Sequence, residues 1–257
     1  MATRPKKKRP TKKKRRSVPA DEAAFLESYS AEDFVRPSVA VDIVIFTILD
    51  ADLKVLLIQR EEHPFRGAWA LPGGFVRVEE DEAQGEDVDA AAVRRLAEET
   101  HLDPGSVYLE QLYTFGKAGR DPRTRVISVA YYALVRPDLA PFVAAGEHAS
   151  DADWHSVAGL ALSELAFDHG EIVHMALERI RGKVDYTDIA FELVPKTFSI
   201  PELRSVYEVI KGQTYDPGNF RRRFHRMQTD GIIEKAPGKR ITASKPAQVF
   251  RFVRGER

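Results

Sequence analysis

The segment Gly73–Leu102, GGFVRVEEDEAQGEDVDAAAVRRLAEETHL, constrains the fold of this chain more than any other. A Pro-Gly-Gly turn precedes a short apolar strand, an acidic loop follows, and the alanine- and leucine-rich stretch after it is typical of a helix packed on a core. Positions 95, 98 and 99 share one face of that helix because they are three and four residues apart. The pattern predicts a strand–loop–helix unit in which Arg95, Glu98 and Glu99 project into one pocket.

Strand and helix patterns surround this unit. The stretches SVAVDIVIFTI and KVLLIQR, separated by an LDADLK turn, predict a β-hairpin. ALPGGFV, VYLEQLYTF and RVISVAYYALV predict further strands, and the long apolar run of the last favours a central position in the sheet. We expect Asp87 or Asp89 to cap the helix AAAVRRLAEET, and Asp168 to open a second helix with Glu171 completing a capping box.

The C-terminal part, from about residue 190, has a different pattern. SIPELRSVYEVIKG predicts a helix that begins at a Ser-x-Pro start, and DPGNFRRRFHRMQTDG predicts a second helix closed by Gly231. IIEKAPGKRITASKPAQVFRFV predicts a β-hairpin with a basic loop. Helix, turn, helix and a two-stranded wing is the order of a winged helix-turn-helix. A chain of 257 residues accommodates it beside a domain of about 150 residues.

Charge is segregated along the chain although the formal net charge is zero. Residues 1–16 contain ten Lys/Arg and no acid, and residues 217–257 contain eleven Lys/Arg against three acids. Two basic ends on an acidic body indicate that the ends meet a polyanion. Residues 1–36 are expected to form a disordered basic arm and linker, and a DNA-seeking arm, an import signal and a solubilising tail all remain open for it.

The composition excludes several classes of site. The chain has no cysteine, so a disulfide framework, a thiolate metal site and a thiol nucleophile are excluded. No apolar run approaches the roughly 20 residues of a membrane span, and the basic N-terminus lacks the apolar core of a signal peptide. We therefore expect a cytoplasmic protein without a membrane partner.

The segment Gly73–Leu102 resembles the Nudix box, G-x5-E-x7-R-E-U-x-E-E-x-G-U, where U is apolar. The matching residues are Arg94, Leu96, Glu98, Glu99, Leu102 and the early glutamate Glu86. The glycine match, Gly74, lies six residues too far upstream, which implies a loop insertion around Glu79–Gly85. Arg95 stands where the family has Glu, and His101 where it has Gly. Histidine tolerates the left-handed conformation that ends a helix better than most residues do.

Arg95 bears directly on the hydrolytic chemistry that the box implies. Pyrophosphate hydrolysis needs Mg²⁺ held by several carboxylate oxygens at close range. A guanidinium at position 95 replaces one of three carboxylates and pairs with the other two, Glu98 and Glu99. We therefore expect no catalytic residue, no metal site and no required cofactor, with Mg²⁺ relevant only if residual hydrolase activity exists. A solvent-facing ladder of ion pairs is the alternative interpretation of RRLAEE.

Two further residue sets are candidates for ligand and DNA contact. Three guanidiniums in GRDPRTRV could hold a diphosphate, and aromatic side chains beside the Pro-Gly-Gly turn could stack on an adenine, although core packing is the commoner role of an aromatic. In helix 218–229 the apolar residues Phe220, Phe224 and Met227 face inward, so the arginines face a DNA groove. The ligand candidates are Arg120, Arg123, Arg125, Trp69 and Phe75, with Phe65 beside them; the DNA candidates are Arg221, Arg222, Arg223, Arg226 and, in the wing, Lys239, Arg240 and Lys245.

A degenerate Nudix box followed by a basic winged helix resembles the family of Nudix-related transcriptional regulators of NAD metabolism. The resemblance rests on LPGGFVR, AVRRLAEETHL, RDPRTRVISVAYYALV, LAFDHGEI, NFRRRFHRM and KPAQVFRF, and covers about 37–253. It implies an α+β fold: a Nudix α/β/α sandwich with a mixed sheet, followed by a C-terminal winged helix-turn-helix domain. The corresponding boundaries are 1–36 for the arm, 37–185 for a Nudix-like ligand-sensing domain and 186–257 for the DNA-binding domain.

The resemblance also implies a function. Such a protein is a homodimer that binds ADP-ribose or a related NAD metabolite and represses NAD biosynthesis or salvage genes at a palindromic site in double-stranded DNA. Two alternatives remain open at this point. One is an active Mg-dependent ADP-ribose or nucleotide pyrophosphatase with accessory nucleic-acid affinity. The other is a binding module that contacts nucleic acid without regulating a gene.

Overall fold

The computed structural model describes residues 20–30, 33–78, 85–142, 149–241 and 246–253. The chain divides into two units, Met1–Arg36 and Pro37–Arg257. In the first, helix α1 spans Ala20–Ser28, and the rings of Phe25, Tyr29 and Phe34 pack on one another with centroid separations of 5.7 and 5.8 Å. The expectation of a disordered arm and linker over residues 1–36 is wrong for residues 20–28, which form this helix, and residues 1–19 lie outside the described residues.

A mixed sheet forms the centre of the second unit. Its path runs β3-β2-β1-β6-β5, with β4 paired to β1 and β7 paired to β2. Strands β1 and β6 are parallel, and the other pairs are antiparallel. The strands are β1 Ser38–Leu49, β2 Asp52–Arg60, β3 Trp69–Ala70, β4 Gly73–Phe75, β5 Tyr108–Phe115, β6 Val126–Leu134 and β7 Ala149–Ser156.

The hairpin and the interior position of β6 are confirmed by this topology. Asp50 and Ala51 join β1 to β2 with φ of 51° and 56°, the left-handed pair that matches the twist of a two-residue hairpin. Strand β6 lies between β1 and β5. Strand β7 was not predicted, because its sequence ASDADWHS is acidic and lacks a β-branched alternation.

Helices α2, Val88–Thr100, and α3, His169–Lys183, cover opposite faces of the sheet. Val41, Ile43 and Ile45 of β1 belong to the core under α2, whereas Val44 and Phe46 belong to the core under α3. The alternation follows from the two-residue period of a strand. The sandwich architecture is thus confirmed.

Two predicted helix caps are wrong in their chemistry. Asp87 occupies the N-cap position of α2 but its side chain makes no capping hydrogen bond, and Asp89 accepts a hydrogen bond from the Tyr131 hydroxyl instead. Asp168 occupies the N-cap position of α3, but its carboxylate accepts from Arg120 rather than from the backbone, so the capping box with Glu171 does not form. His101 adopts the left-handed conformation expected at the end of α2, with φ of 57°.

The C-terminal part forms the winged helix-turn-helix that the pattern predicts. Helix α4 spans Ile200–Lys211, helix α5 spans Pro217–Thr229, and β8 Ile233–Arg240 pairs with β9 Ala247–Phe252. Ser199 and Glu202 form a reciprocal capping box at the start of α4, and Asp216 caps α5 through the Asn219 amide. A single hydrophobic core continues from the α3 face of the sheet through a 3₁₀ helix, Asp188–Leu193, into α4 and α5.

None of the helices in the described residues has the length and apolar character needed to cross a bilayer.

Candidate functional site

A polar pocket lies at the sheet edge where β1, β4, the loop after β5 and the start of α3 meet. Its volume is about 100 Å³, below the roughly 300–1,000 Å³ of typical small-molecule sites, so a nucleotide would have to displace side chains to enter. The charged and aromatic residues that line it are Asp42, Arg60, Phe75, Arg120, Asp121, Arg123, Phe167 and His169.

Arg120 holds the floor of this pocket together. Its side chain is only 5% exposed, and its guanidinium donates to Asp168 at 2.9 and 2.6 Å and to Asp42 at 3.1 Å. Asp42 also accepts from the Ser128 hydroxyl at 2.5 Å. Burial acts to lower the pKa of Arg120, but the hydrogen bonds that it donates to Asp168 and the charge of Asp42 outweigh it and raise that pKa. A buried cation thus sits between two carboxylates, where an anionic ligand would compete for it.

His169 is held in one neutral tautomer beside this floor. Its Nδ1 accepts from the Leu71 amide at 2.8 Å, which leaves the proton on Nε2, 3.6 Å from an oxygen of Asp42. Burial lowers the pKa of His169, although the charge of Asp42 opposes the shift. His169 therefore links the Leu71 backbone, next to the Pro-Gly-Gly turn, to the first turn of α3.

Guanidiniums and aromatic rings form the upper wall of the pocket. Arg123 lies 5.6 Å from the ring centroid of Phe75 and 6.0 Å from that of Phe167, and Arg60 lies 4.9 Å from Phe167. Asp121 orients Arg123 through bonds of 2.7 and 3.1 Å. Burial and the nearby charge of Arg123 lower the pKa of Arg60. Phe75 is 41% exposed, so one aromatic face of the wall is accessible.

The structure brings only some of the predicted ligand residues together. Arg120, Arg123 and Phe75 line the pocket, whereas Trp69 packs on His155 at 4.4 Å in the core, and Arg125 reaches the Lys117 carbonyl on an exposed surface. Trp69 and Arg125 therefore lie outside the pocket. Phe65 contacts the pocket indirectly, through an edge-on packing with Phe167 at 4.9 Å.

Asp42, Arg60, Asp121, Phe167 and His169 are pocket residues that sequence reasoning missed. One signal was available, since a lone aspartate inside the apolar strand SVAVDIVIFTIL is rarely buried without a partner. Phe167 gave no such signal, because its left-handed φ of 55° is visible only in the backbone.

Glu86, the early glutamate of the box, is held by Arg94 of α2 and by the Arg77 amide on the other side of the insertion. Arg94 donates to Glu86 at 2.5 and 3.0 Å, and the Arg77 amide donates to Glu86 at 2.8 Å. The hydrogen bonds from Arg94 lower the pKa of Glu86 to about 2. Of the insertion expected around Glu79–Gly85, residues 79–84 lie outside the described residues.

The Arg95 guanidinium fills the space beside the box glutamates. It lies 3.3 Å from Glu98 and 3.7 Å from the buried Glu99, and a Cβ on Gly74 would approach its Nη2 to 2.1 Å. The guanidiniums of Arg77 and Arg94 also donate to the Glu98 carboxylate, each at 3.0 Å. The carboxylates are thus committed to guanidiniums, and the described chain offers no cluster of three acidic, His or Cys side chains placed to hold a metal ion. In this arrangement a divalent cation would have to displace guanidiniums from these carboxylates.

The outer face of α5 is a candidate nucleic-acid interface. Arg221, Arg222 and Arg226 are exposed on it, while Phe220 and Phe224 are buried on the opposite face and Met227 is partly buried there. Arg222 donates to Asn219 within the same helix. Lys239 is exposed on β8. Lys245 lies outside the described residues.

Two predicted DNA contacts have partners inside the protein. Arg223 is half-buried, lies 4.2 Å above the Tyr207 ring and pairs with Asp185 at 3.3 Å. Arg240 pairs with Glu202 at 3.1 Å and donates to the Thr197 carbonyl at 2.6 Å. The structure therefore places both guanidiniums in intramolecular contacts rather than on the exposed basic face.

Comparison with known proteins agrees with this arrangement. Residues 38–176 match the NUDIX domain, and residues 190–252 match the NrtR DNA-binding winged helix domain. The ADPR responsive transcriptional repressor NtrR of Acinetobacter baylyi is 36% identical over 233 residues, which cover 91% of this chain and 89% of that protein. An ADP-ribose pyrophosphatase of Methanocaldococcus jannaschii is 39% identical over 140 residues, covering 54% of this chain and 73% of the archaeal protein.

Solved structures of Shewanella oneidensis NrtR are also similar. The complex with a 27mer DNA has a TM-score of 0.69 at 33% identity, covering 84% of this chain and 93% of that chain. The NUDIX domain in complex with ADP ribose has a TM-score of 0.50 at 35% identity, covering 62% of this chain and 98% of that chain. Because both domains match in order and over nearly the full length, this chain belongs to the family of Nudix-related transcriptional regulators with an NrtR-type DNA-binding winged helix.

Proposed function

We propose that this protein is a transcriptional repressor of NAD biosynthesis or salvage genes that senses ADP-ribose or a related NAD metabolite. The observation that carries the proposal is the state of the box helix. Arg95 pairs with Glu98 and Glu99, so these carboxylates face a guanidinium instead of a hydrolytic metal, while the neighbouring pocket keeps its anion-binding side chains. A sensor has to bind its nucleotide without consuming it.

The pocket suits a nucleoside diphosphate with a sugar attached. Arg120 and Arg123 supply planar guanidiniums that bind diphosphate oxygens, and the exposed ring of Phe75 offers a stacking surface for an adenine. Asp42 supplies carboxylate oxygens that can accept from sugar hydroxyls. The printed names of the Acinetobacter repressor and the Shewanella complex point to ADP-ribose as the first ligand to test.

We assign residues 37–185 to ligand sensing and residues 186–257 to DNA binding, with 1–36 as a basic arm. Helix α5 would enter the major groove with Arg221, Arg222 and Arg226 toward bases and phosphates, and Lys239 toward the backbone of the duplex. A homodimer would present two such helices to a palindromic operator, because the two-fold symmetry of the protein is matched by two-fold symmetry of the DNA sequence. ADP-ribose would release the operator by favouring another spacing of the two helices. We place the protein in the cytoplasm.

A Mg-dependent ADP-ribose pyrophosphatase with accessory nucleic-acid affinity is the second candidate. The archaeal pyrophosphatase supports it by its 39% identity, and Glu86, Glu98 and Glu99 are present. The ion pairs of Arg95 with Glu98 and Glu99 weigh against it, since a cation would have to displace this guanidinium from its ligands.

Selection from a random pool of DNA duplexes tests the repressor assignment. The full-length protein is expected to enrich a palindrome, and ADP-ribose is expected to reduce capture of the enriched duplex. Capture without sequence enrichment, falling steeply with salt, would instead favour a nonspecific nucleic-acid binder. Release of AMP from ADP-ribose with Mg²⁺ at rates typical of enzymes, about 1–10 per second, would favour the pyrophosphatase.

A further inference from the structure

Helix α3 connects the pocket to the winged helix domain. Its 15 residues span about 22 Å at 1.5 Å per residue. Asp168 and His169 at its start contact the floor of the pocket, and Arg181 in its last turn donates to the Ile210 carbonyl of α4 at 3.1 Å. Any displacement of α3 along or about its axis therefore acts on both regions.

The N-cap residue of α3 is bound to Arg120 instead of to its own helix. Asp168 stands at the N-cap position, where an aspartate ordinarily accepts from the first backbone N–H groups of its helix, yet its carboxylate is bound bidentately to Arg120. A diphosphate that takes hydrogen bonds from Arg120 would compete with Asp168 for the same donors. Once released, the carboxylate can cap α3, where the helix dipole also favours it.

The segment after α3 holds α4 and α5 through one carboxylate. Asp185 pairs with Lys211 at the end of α4 at 2.7 Å and with Arg223 of α5 at 3.3 Å. The Arg223 guanidinium is fixed further by lying 4.2 Å from the Tyr207 ring. Asp185 is thus the point at which the end of α3 is tied to the helix that carries the exposed arginines.

Packing on the two sides of this connection is unequal. The α3 side is a continuous core in which Ile180 and Val184 belong to one cluster with Val206 and Ile210. On the other side, a cleft of about 580 Å³ separates the β1–β2 turn at Ala51 from α4. The packed side and the ion pairs of Asp185 therefore hold the winged helix domain at its present angle.

We propose that Asp185 is a positioning residue through which α3 converts occupation of the Arg120 pocket into a change in the orientation of α5. This inference rests on the proposed function, since it assigns the route by which the nucleotide alters operator affinity. Asp185 touches neither the pocket nor the exposed arginine face of α5, and its effect on DNA binding is exerted through Lys211 and Arg223.

Operator affinity with and without ADP-ribose tests this assignment. In the unaltered full-length protein, saturating ADP-ribose is expected to change the Kd for the selected duplex by a factor within the usual range of about 5–150. In Asp185→Asn, ADP-ribose should change the Kd for the duplex by no more than about twofold. The Kd for ADP-ribose in the absence of DNA should stay within about twofold of the original value, because the pocket is untouched. Asp185→Glu, which keeps the charge, should restore part of the factor.

Asp230→Asn is the matched control. It removes the same charge from an exposed position at the end of α5, and it should leave the coupling factor unchanged while altering the Kd for DNA only through the loss of one negative charge. Lys211→Gln opens the Asp185 contact from its other side and should also reduce the factor. Coupling that persists at its original size in both Asp185→Asn and Lys211→Gln overturns the inference and leaves the proposed function standing.

Amide hydrogen exchange in the absence of DNA distinguishes failure of the Asp185 inference from failure of the proposed function. ADP-ribose is expected to change amide exchange in residues 200–229 of the unaltered protein and not in Asp185→Asn. Binding of ADP-ribose with unchanged exchange in those residues overturns the inference alone. A protein that binds no ADP-ribose, by calorimetry, overturns the proposed effector and the inference with it.

Discussion

The arginines of α2 and of the pocket differ from those of α5 in what surrounds them. Arg94, Arg95, Arg120 and Arg123 all point at carboxylates of the same domain, and the first three are no more than 17% exposed. The arginines at 221, 222 and 226 lie on an exposed helix face. A buried, paired arginine fixes geometry and holds a small anion in one orientation, whereas an exposed cluster attracts a polyanion over distance. We therefore propose that the same residue type serves two functions, and substitution should separate them.

Removal of Arg120 should give the largest effect on stability. Arg120→Ala leaves Asp42 and Asp168 buried without their common partner, and breaking a buried pair typically costs about 3–5 kcal/mol in the free energy of unfolding. Denaturant unfolding measures it. Arg123→Ala is the control: its side chain is 45% exposed, and its loss should cost less than about 1 kcal/mol. Equal costs for the two would contradict the assignment of Arg120 as the floor of the pocket.

Removal of an exposed arginine should affect DNA binding without affecting stability. If Arg226 contacts a base, Arg226→Ala is expected to weaken operator binding by about 1–3 kcal/mol. If Arg226 contacts a phosphate, the variant should reduce the slope of log affinity against log salt concentration by about one. The melting temperature should stay unchanged. Arg251→Ala, which removes an exposed arginine paired with Glu234 on the wing, provides the control and should leave sequence preference intact. Identical losses in both variants would mean that only overall charge matters.

Arg95→Glu should create a cation site. Three carboxylates on one helix face repel one another, so the variant is expected to melt below the unaltered protein in EDTA and to regain stability with millimolar Mg²⁺. ADP-ribose hydrolysis should rise above that of the unaltered protein in the same buffer. Arg95→Gln removes the guanidinium without adding a carboxylate and should show neither response. A Mg²⁺ response in the unaltered protein would show that Arg95 does not close the site.

The pH dependence of the free energy of unfolding should depend on the Arg94–Glu86 pair. We expect this effect to be the smallest of the four predicted here. Because the folded-state pKa of Glu86 is about 2, below the ordinary 4.5, its contribution is complete above about pH 4.5 and is lost as the pH falls toward 2. Glu86→Gln should flatten the fall in unfolding free energy over that window. A slope that is unchanged in the variant would place the acid sensitivity in other carboxylates.

The order of elements and the two-domain plan were available from local sequence. Hydrophobic alternation in SVAVDIVIFTI, the helical spacing of Phe220 and Phe224, and Ser199 with Glu202 each specify local structure without distant partners. The shared face of Arg95, Glu98 and Glu99 followed from helix geometry in the same way. Strand β7 did not follow from local sequence. Its pairing with β2 is a long-range contact, and its own composition does not favour a strand.

The sequence by itself determined the fold family, the neutralised box and the presence of a basic helix, because these depend on residue type and on spacings of at most one helical turn. Only the tertiary structure decided which charges are free. It brought Asp42, Arg120 and Asp168 together across 78 and 48 positions, removed Trp69 and Arg125 from the pocket, and turned Arg223 toward Asp185. Whether an arginine is paired or available is a property of neighbours in space, and strand pairing and helix packing set those neighbours.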